Sequence, residues 1–176
     1  MTRSVDELEV MISHDQLQER VRALGREVRE LYGPDEVVLL VGVLKGSFLF
    51  MADLARAIDG PVHCEFLGVS SYEGTESTGA VRLTHDLRTD IAGRHVLVVE
   101  DIVDTGLTLE YLRRILEARN PASLRVASLL DKPSRRRVDV PVDFVGFEIP
   151  DAFVVGYGLD LDQLYRNLPY IGRFPT

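Results

Sequence analysis

Apolar residues recur along this chain with two different spacings, one typical of helices and one typical of strands. Between Ser13 and Gly33 they stand at every third or fourth position, at Leu17, Val21, Leu24, Val28 and Leu31. Ser13 and Gln16 have the spacing of a capping box, and Gly33-Pro34 is a typical helix end. The pattern predicts an amphipathic helix between these signals.

Short runs of branched apolar residues predict buried strands. The strongest runs occupy residues 37–43, 96–99 and 124–130, and weaker strand patterns occupy residues 62–70, 81–87, 144–147 and 153–157. Helical spacing returns at residues 48–58 and again after residue 108. Alternating strands and helices predict an α/β fold with a central parallel sheet flanked by helices, in which residues 81–87 pair back on residues 62–70. Ligands of such sheets bind at the carboxyl ends of the strands.

Composition narrows the class of protein. The 176 residues contain no repeat or linker, so we expect one domain over residues 1–176. A net charge of −8 argues against a nucleic-acid partner, and no segment reaches the about 18–20 apolar residues that cross a membrane. The N-terminus lacks the apolar run of a secretory signal. The single cysteine, Cys64, fits a reducing cytoplasm, and its alternating apolar surroundings predict a core position.

The buried run at residues 96–99 is followed directly by polar residues that could bind a ligand. Two adjacent acids, Glu100 and Asp101, come first, then Asp104 and a loop of hydroxyl and glycine residues that opens a helical pattern. This order predicts a phosphate-binding loop at a helix N-terminus, where backbone N–H groups face the anion. Adjacent acids at a strand end are costly unless they bind a metal or sugar hydroxyls. The simpler alternative is a strand-turn-helix junction whose acids cap the helix.

Residues 100–108 resemble the phosphoribosyl-pyrophosphate (PRPP) motif of the type I phosphoribosyltransferases. Four further segments, at residues 44–47, 70–72, 130–133 and 153–157 with Asp160 and Arg166, resemble the hypoxanthine and hypoxanthine-guanine branch of that family. The resemblance covers residues 12–170 and implies the type I fold. That fold includes a hood formed by the N- and C-terminal segments and a mobile hairpin loop. The implied reaction moves ribose 5-phosphate from PRPP to N9 of a 6-oxopurine and releases pyrophosphate.

The resemblance implies a site for the ribosyl donor. Its residues for PRPP and the 5′-phosphate are Glu100, Asp101, Asp104, Thr105, Gly106, Leu107 and Thr108, although some relatives have a basic residue in place of Leu107. Glu100, Asp101 and Asp160 are the implied ligands of Mg²⁺, a cation that prefers oxygen. Lys45, Gly46 and Arg166 are the implied pyrophosphate contacts, beside a Leu44–Lys45 peptide that is often cis in the family. An ordinary turn with a solvated Lys45, and a surface ion pair of Arg166, are the alternatives.

The resemblance also implies a site for the base. Asp104 is the candidate general base that accepts the proton of purine N7. The ammonium of Lys132 can only donate, so it matches the O6 acceptor of a 6-oxopurine and opposes the amino group of adenine. Phe153 and Ile102 would pack on the two faces of the base, and the Val154 backbone would contact its edge. Without the resemblance, Lys132 would be a solvated lysine and Phe153 a core residue.

The remaining expectations concern closure, partners and alternatives. Ser71 and Tyr72 begin a segment, residues 70–84, that resembles a lid, although an exposed hairpin tip would have the same composition. The partners implied are PRPP, a 6-oxopurine and further copies of the chain in a homodimer or homotetramer. One alternative is transfer to xanthine or another base. Another is a non-catalytic regulator that senses PRPP or purines and binds nucleic acid, but the chain lacks a basic face. Preference between hypoxanthine and guanine stays open.

Overall fold

A computed structural model describes residues 4–71 and 81–175, except for the side chain of Ser71. The strands are β1 (Glu9–Ile12), β2 (Val38–Leu44), β3 (Val62–Ser71), β4 (Val81–His85), β5 (His95–Val103), β6 (Ser123–Asp131), β7 (Phe144–Glu148), β8 (Val154–Val155) and β9 (Ile171–Arg173). The α-helices are α1 (His14–Tyr32), α2 (Phe48–Ala57) and α3 (Leu107–Glu117). Short 3₁₀ helices occupy Val5–Glu7 and Pro133–Arg135.

The central sheet has six strands in the order β4-β3-β2-β5-β6-β7. Every neighbouring pair is parallel except β3 and β4, which form the antiparallel hairpin that the sequence predicts. The predicted α/β fold with a mostly parallel sheet flanked by helices is therefore confirmed. Tyr72 and most of the predicted lid, residues 70–84, lie outside the described residues.

Helix α1 forms where its sequence signals place it. The Ser13 side chain accepts the Gln16 N–H, and the Gln16 side chain accepts the Ser13 N–H, so the predicted capping box is present. Gly33 ends the helix with a φ of 80°, a conformation that favours glycine. Four of the five predicted apolar positions are buried, whereas Leu31, in the last turn, is exposed.

Two apolar layers form on the two faces of the central sheet. Alternate residues of each strand point to opposite faces, so Leu40 and Val99 pack in one layer with α1 and α2 while Val41 and Val98 pack in the other with α3. Burial on both faces explains why β2 and β5 read as continuous apolar runs. The position predicted for Cys64 is wrong. Helix α2 packs on α1 and, among the strands, on β2 and β5, and Cys64 and Phe66 of β3 are exposed.

A second, three-stranded antiparallel sheet has the order β1-β9-β8. It joins the first strand of the chain to the last. The spacing of apolar residues does not predict it because its strands are very short. Of the strand predicted at residues 153–157, only Val154–Val155 is extended, and it belongs to this sheet rather than to the central one. The chain leaves the central sheet at the end of β7, Glu148, and β8 then pairs with β9 in the second sheet.

Candidate active site

Strand β5 and helix α3 build the centre of the site. The strand continues through Val103, four residues beyond the predicted end, because Glu100 and Ile102 pair with Ser128 and Leu130 of β6. Gly106 then turns the chain into α3 with a φ of 87° and provides no side chain to cap the helix. The N-terminus of α3 therefore presents backbone N–H groups beside the loop, as the sequence predicts.

Five of the seven predicted donor residues line one pocket of about 230 Å³, whereas Asp101 and Leu107 do not. Its lining consists of Glu100, Ile102, Val103, Asp104, Thr105, Gly106, Thr108 and Leu109. Leu107 does not line it, and the Leu107 N–H is directed at Thr105 Oγ1, 3.4 Å away. The segment that resembles a PRPP motif therefore lines a space with two carboxylates, two hydroxyls and a glycine.

The two adjacent acids occupy an unfavourable environment for charge. Glu100 is only 5% exposed, and burial, together with the charge of Asp101, raises its pKa well above the ordinary range. Burial also raises the pKa of Asp101 to about 6, against the opposing effects of the Ile102 N–H and of Arg166. A cation or sugar hydroxyls in contact with these carboxylates would offset the cost of their burial.

The loop after β2 lies against these acids. Its Leu44–Lys45 peptide is cis, as in the family that the sequence resembles. Gly46 faces Asp101 so closely that a Cβ on Gly46 would overlap Asp101 Oδ2, and a Cβ on Gly158 would overlap the Gly46 carbonyl oxygen. Side chains are therefore excluded at both glycines. Neighbouring parallel strands β2 and β5 bring the loop and the acids to the same edge of the sheet.

A C-terminal segment brings a second set of polar groups to this loop. Arg166 donates to the Gly158 carbonyl at 2.6 Å and lies 2.8 Å from Asp160 Oδ1, and Asp160 Oδ2 accepts the Gln163 N–H at 2.8 Å. The Gln163 side-chain oxygen accepts from both Lys45 Nζ at 3.1 Å and Arg166 at 3.2 Å. The predicted pyrophosphate residues are thus brought together. Gln163, which joins two of them, carries no sequence pattern that identifies it.

The predicted purine residues surround the end of β6. Lys132 is 7% exposed, its N–H donates to the Val103 carbonyl at 3.0 Å, and its Nζ lies 3.8 Å from Asp151 Oδ1. A solvated lysine is therefore excluded. Phe153 is 59% exposed, which excludes a core role and leaves its ring open to a ligand, while Ile102 is half-buried and Val154 is buried.

Arginines that the sequence analysis did not select surround Asp104. Arg135 Nε donates to Asp104 Oδ1 at 3.2 Å, and Arg136 donates to the Asp104 carbonyl at 3.0 Å. Arg136 also pairs with Asp131. The run of arginines at residues 135–137 in an acidic chain was the available signal for these contacts.

The carboxylates were tested as a metal centre. Among residues 4–71 and 81–175, no three histidine, cysteine, aspartate or glutamate side chains form a group that could hold a metal ion by themselves. Glu100, Asp101 and Asp160 therefore do not make a closed three-ligand centre. The oxygen donors still suit Mg²⁺, which commonly binds through one or two carboxylates and completes its coordination with water and substrate phosphates.

Comparison with known proteins decides the family. A family model described as the phosphoribosyl transferase domain matches residues 13–162. The chain belongs to this phosphoribosyltransferase family. Its central sheet and flanking helices are accordingly the type I phosphoribosyltransferase fold, as the sequence predicts.

Relatives of this phosphoribosyltransferase are named more specifically than the family model, by the base they use. A hypoxanthine phosphoribosyltransferase of Haemophilus influenzae is 53% identical over 169 residues, 94% of each chain. A hypoxanthine-guanine phosphoribosyltransferase of Bacillus subtilis is 51% identical over 164 residues, 93% of this chain and 91% of the relative. The crystal structure of a hypoxanthine phosphoribosyltransferase from Staphylococcus aureus matches with a TM-score of 0.92 at 45% identity, covering 99% of this chain and 97% of that one.

None of the helices in the described part of the chain is long and apolar enough to cross a membrane.

Proposed function

We propose that this phosphoribosyltransferase transfers the 5-phosphoribosyl group of PRPP to N9 of hypoxanthine, guanine or both, giving IMP or GMP and pyrophosphate in purine salvage. The observation that carries the proposal is the packing of Gly46 between Asp101 and Gly158, since it joins the pyrophosphate loop, the acids and the C-terminal segment. The buried Lys132 lies one strand away. Relatives described as hypoxanthine and hypoxanthine-guanine phosphoribosyltransferases support the same substrates.

The pocket at the start of α3 is the proposed site of the 5′-phosphate and ribose. Backbone N–H groups at Thr105, Gly106, Leu107 and Thr108, with the two threonine hydroxyls, would bind the phosphate. Glu100 and Asp101 would bind the ribose hydroxyls directly or through Mg²⁺, with Asp160 as a further contact of the ion. When bound, Mg²⁺ would neutralise the negative charge that develops on the departing pyrophosphate.

Lys45, Arg166 and the backbone of Gly46 would bind the pyrophosphate. Both cations donate to Gln163 Oε1, a neutral oxygen, so they converge on one point, and Arg166 also pairs with Asp160. A pyrophosphate oxygen can take the place of the amide oxygen. Such preorganised charge is an effective way to stabilise a leaving group.

The base would lie between Ile102 and the exposed ring of Phe153, with its edge on the Val154 backbone. Lys132 would donate to O6, and Asp104 would accept the proton from N7 as the new bond to C1′ forms. An oxocarbenium-like carbon reacts readily with water, so the site must exclude it. A lid that begins at Ser71 and Tyr72 stays a prediction from the sequence.

The remaining assignments are also proposals. We place the protein in the cytoplasm, as a homodimer or homotetramer, with no nucleic-acid or membrane partner. Each chain would act as one domain over residues 1–176 whose hood is formed by the N- and C-terminal segments, with the sheet β1-β9-β8 as its described part.

The test of this function is product identification. The purified protein is incubated with PRPP, Mg²⁺ and hypoxanthine, and the products are separated by chromatography and identified by mass. Equal amounts of IMP and pyrophosphate are expected, and both should disappear when Mg²⁺ is chelated. Release of pyrophosphate with free ribose 5-phosphate, or no consumption of PRPP with either hypoxanthine or guanine, would contradict the proposal.

A further inference from the structure

Three polar side chains outside the described site converge on Asp53 of α2. Tyr157 OH donates to Asp53 Oδ2 at 2.5 Å, and Gln18 Nε2 of α1 donates to the same oxygen at 2.9 Å. Arg56 pairs with the other oxygen, Oδ1, from a side chain that is 75% exposed. The Tyr157 ring is 4% exposed, so its bond to Asp53 is the buried member of the cluster. Burial and the neighbouring Asp53 raise the pKa of Tyr157, which keeps its hydroxyl a proton donor.

Tyr157 has a backbone conformation that few residues of its kind adopt. Its φ is 48°, between Gly156 at 99° and Gly158 at 102°, so three successive residues lie in the left-handed region. A bulky residue in this region is strained, and the conformation persists only where the surrounding structure holds it. The Tyr157 N–H donates to the Leu168 carbonyl at 2.9 Å, and the side chain is held by Asp53.

The residue after Tyr157 touches the pyrophosphate loop. Gly158 packs on the Gly46 carbonyl without room for a side chain, and its N–H and C=O both bond to Arg166, at 2.9 and 2.6 Å. Asp53 lies on the helix that begins directly after this loop. Two contacts therefore join the same two segments. The Asp53–Tyr157 bond and the packing of Gly158 on Gly46 both connect the pyrophosphate loop and α2 to the segment from Val154 to Asp160.

We propose that Asp53 is a positioning residue for PRPP and pyrophosphate, acting through Tyr157 to hold Gly158 against Gly46. This inference rests on the proposed function, because it assigns Gly46 and Lys45 to the pyrophosphate. The Asp53–Tyr157 bond sets the distance between the pyrophosphate loop and the segment that carries Gly158, the backbone partner of Arg166. Neither Asp53 nor Tyr157 touches the pocket at the start of α3, so both act at a distance.

Four variants test the arrangement. Asp53→Ala and Tyr157→Phe each remove the bond, Asp53→Asn keeps an oxygen that accepts from Tyr157, and Arg56→Ala removes the exposed partner while leaving the bond intact. Steady-state KM for PRPP, the inhibition constant of inorganic pyrophosphate, kcat and the melting temperature are measured for each. We expect the first two variants to raise KM for PRPP and weaken pyrophosphate inhibition by about tenfold, with little change in kcat.

The double variant Asp53→Ala/Tyr157→Phe should be no worse than the poorer single variant, because each single change already removes the same Asp53–Tyr157 bond. Asp53→Asn and Arg56→Ala should stay close to the wild type. Unchanged KM and pyrophosphate inhibition in Tyr157→Phe, with only a lower melting temperature, would overturn the positioning role. So would an equal loss in Arg56→Ala. A wild-type protein that does not consume PRPP would instead refute the proposed function itself.

Discussion

Arg135 donates a hydrogen bond from Nε to Asp104 Oδ1 across 3.2 Å, and its NH1 lies 3.6 Å from Asp151 Oδ2. Asp151 in turn lies 3.8 Å from Lys132 Nζ. The carboxylate proposed to take the proton from N7 is thus connected, through two exposed charged residues, to the ammonium proposed to bind O6. The residues proposed for recognition of the base and for proton transfer therefore belong to one chain of ionic contacts at the carboxyl ends of β5 and β6.

Replacing Asp104 by Asn tests the general base. The amide keeps an oxygen for Arg135 but loses the basicity, so we expect kcat to fall by about 10²–10⁴-fold while the affinity for PRPP is nearly retained. The measurement is kcat and KM by initial rates. Asp151→Asn is the matched control, since it removes the other carboxylate near Arg135 and should leave most of kcat. An unchanged kcat in Asp104→Asn would remove this residue from the role.

Replacing Lys132 by Gln tests the choice of base. A glutamine can both donate and accept, so the variant should lose kcat/KM for hypoxanthine and narrow its preference over adenine by about 10²-fold or more. The same panel is measured on Arg137→Gln, which alters an exposed cation in the same segment. The Lys132 assignment fails if the preference for hypoxanthine survives in Lys132→Gln.

Replacing Gly46 by Ala tests the contact between the loop and the acids. The added methyl would overlap Asp101 Oδ2, so Asp101 or the loop must move, and we expect most activity to be lost. Gly93→Ala is a suitable comparison because no atom lies within 4 Å of its added Cβ, and only its φ of 69° opposes the change. Gly93→Ala should lose stability but not kcat/KM. Equal activity in the two variants would contradict the packing described for Gly46.

The raised pKa of Asp101 gives a pH dependence with a definite sign. Between its ordinary pKa of 3.8 and about 6 the folded state binds more protons than the unfolded state, so stability falls as pH rises through this window. Asp101→Asn removes that penalty. Without Mg²⁺ and PRPP, the variant should be more stable than the wild type at about pH 7.5, by up to about 3 kcal/mol, and the gain should shrink at about pH 4.5.

Urea unfolding at the two pH values measures this effect. Asp162→Asn, a change at an exposed carboxylate, is the control and should alter the free energy of unfolding little at either pH. A stabilisation by Asp101→Asn that is equal at both pH values, or a loss of stability at the higher one, would show that burial does not determine the charge state of Asp101.

Local patterns were sufficient to predict the parts of the fold that are buried on regular faces. Helix α1 begins and ends at its predicted signals, and the apolar runs of β2, β5 and β6 are strands. The sheet β1-β9-β8 was beyond such patterns, because its strands have two to four residues and form only when the two ends of the chain meet. Cys64 was misplaced for a related reason, since alternation cannot show which face a helix covers.

The candidate site was likewise predicted only where its residues are close in sequence. Their order after one apolar run identified Glu100, Asp104 and Gly106, and the structure places all three around one pocket. Contacts between distant segments were not found. Lys45 and Gln163 are 118 residues apart, and Asp53 and Tyr157 are 104 apart, so only the folded chain brings each pair together. Neither glutamine nor tyrosine at these positions has a distinctive spacing.

Initial rates of PRPP consumption with Mg²⁺ and each of hypoxanthine, guanine, xanthine and adenine test the central claim most directly. A donor-only Lys132 predicts turnover of hypoxanthine, guanine or both, and no turnover of adenine above the rate without a base. Turnover of adenine but not of hypoxanthine would contradict the account of Lys132. Failure with all four bases would contradict the proposed phosphoribosyl transfer to a purine.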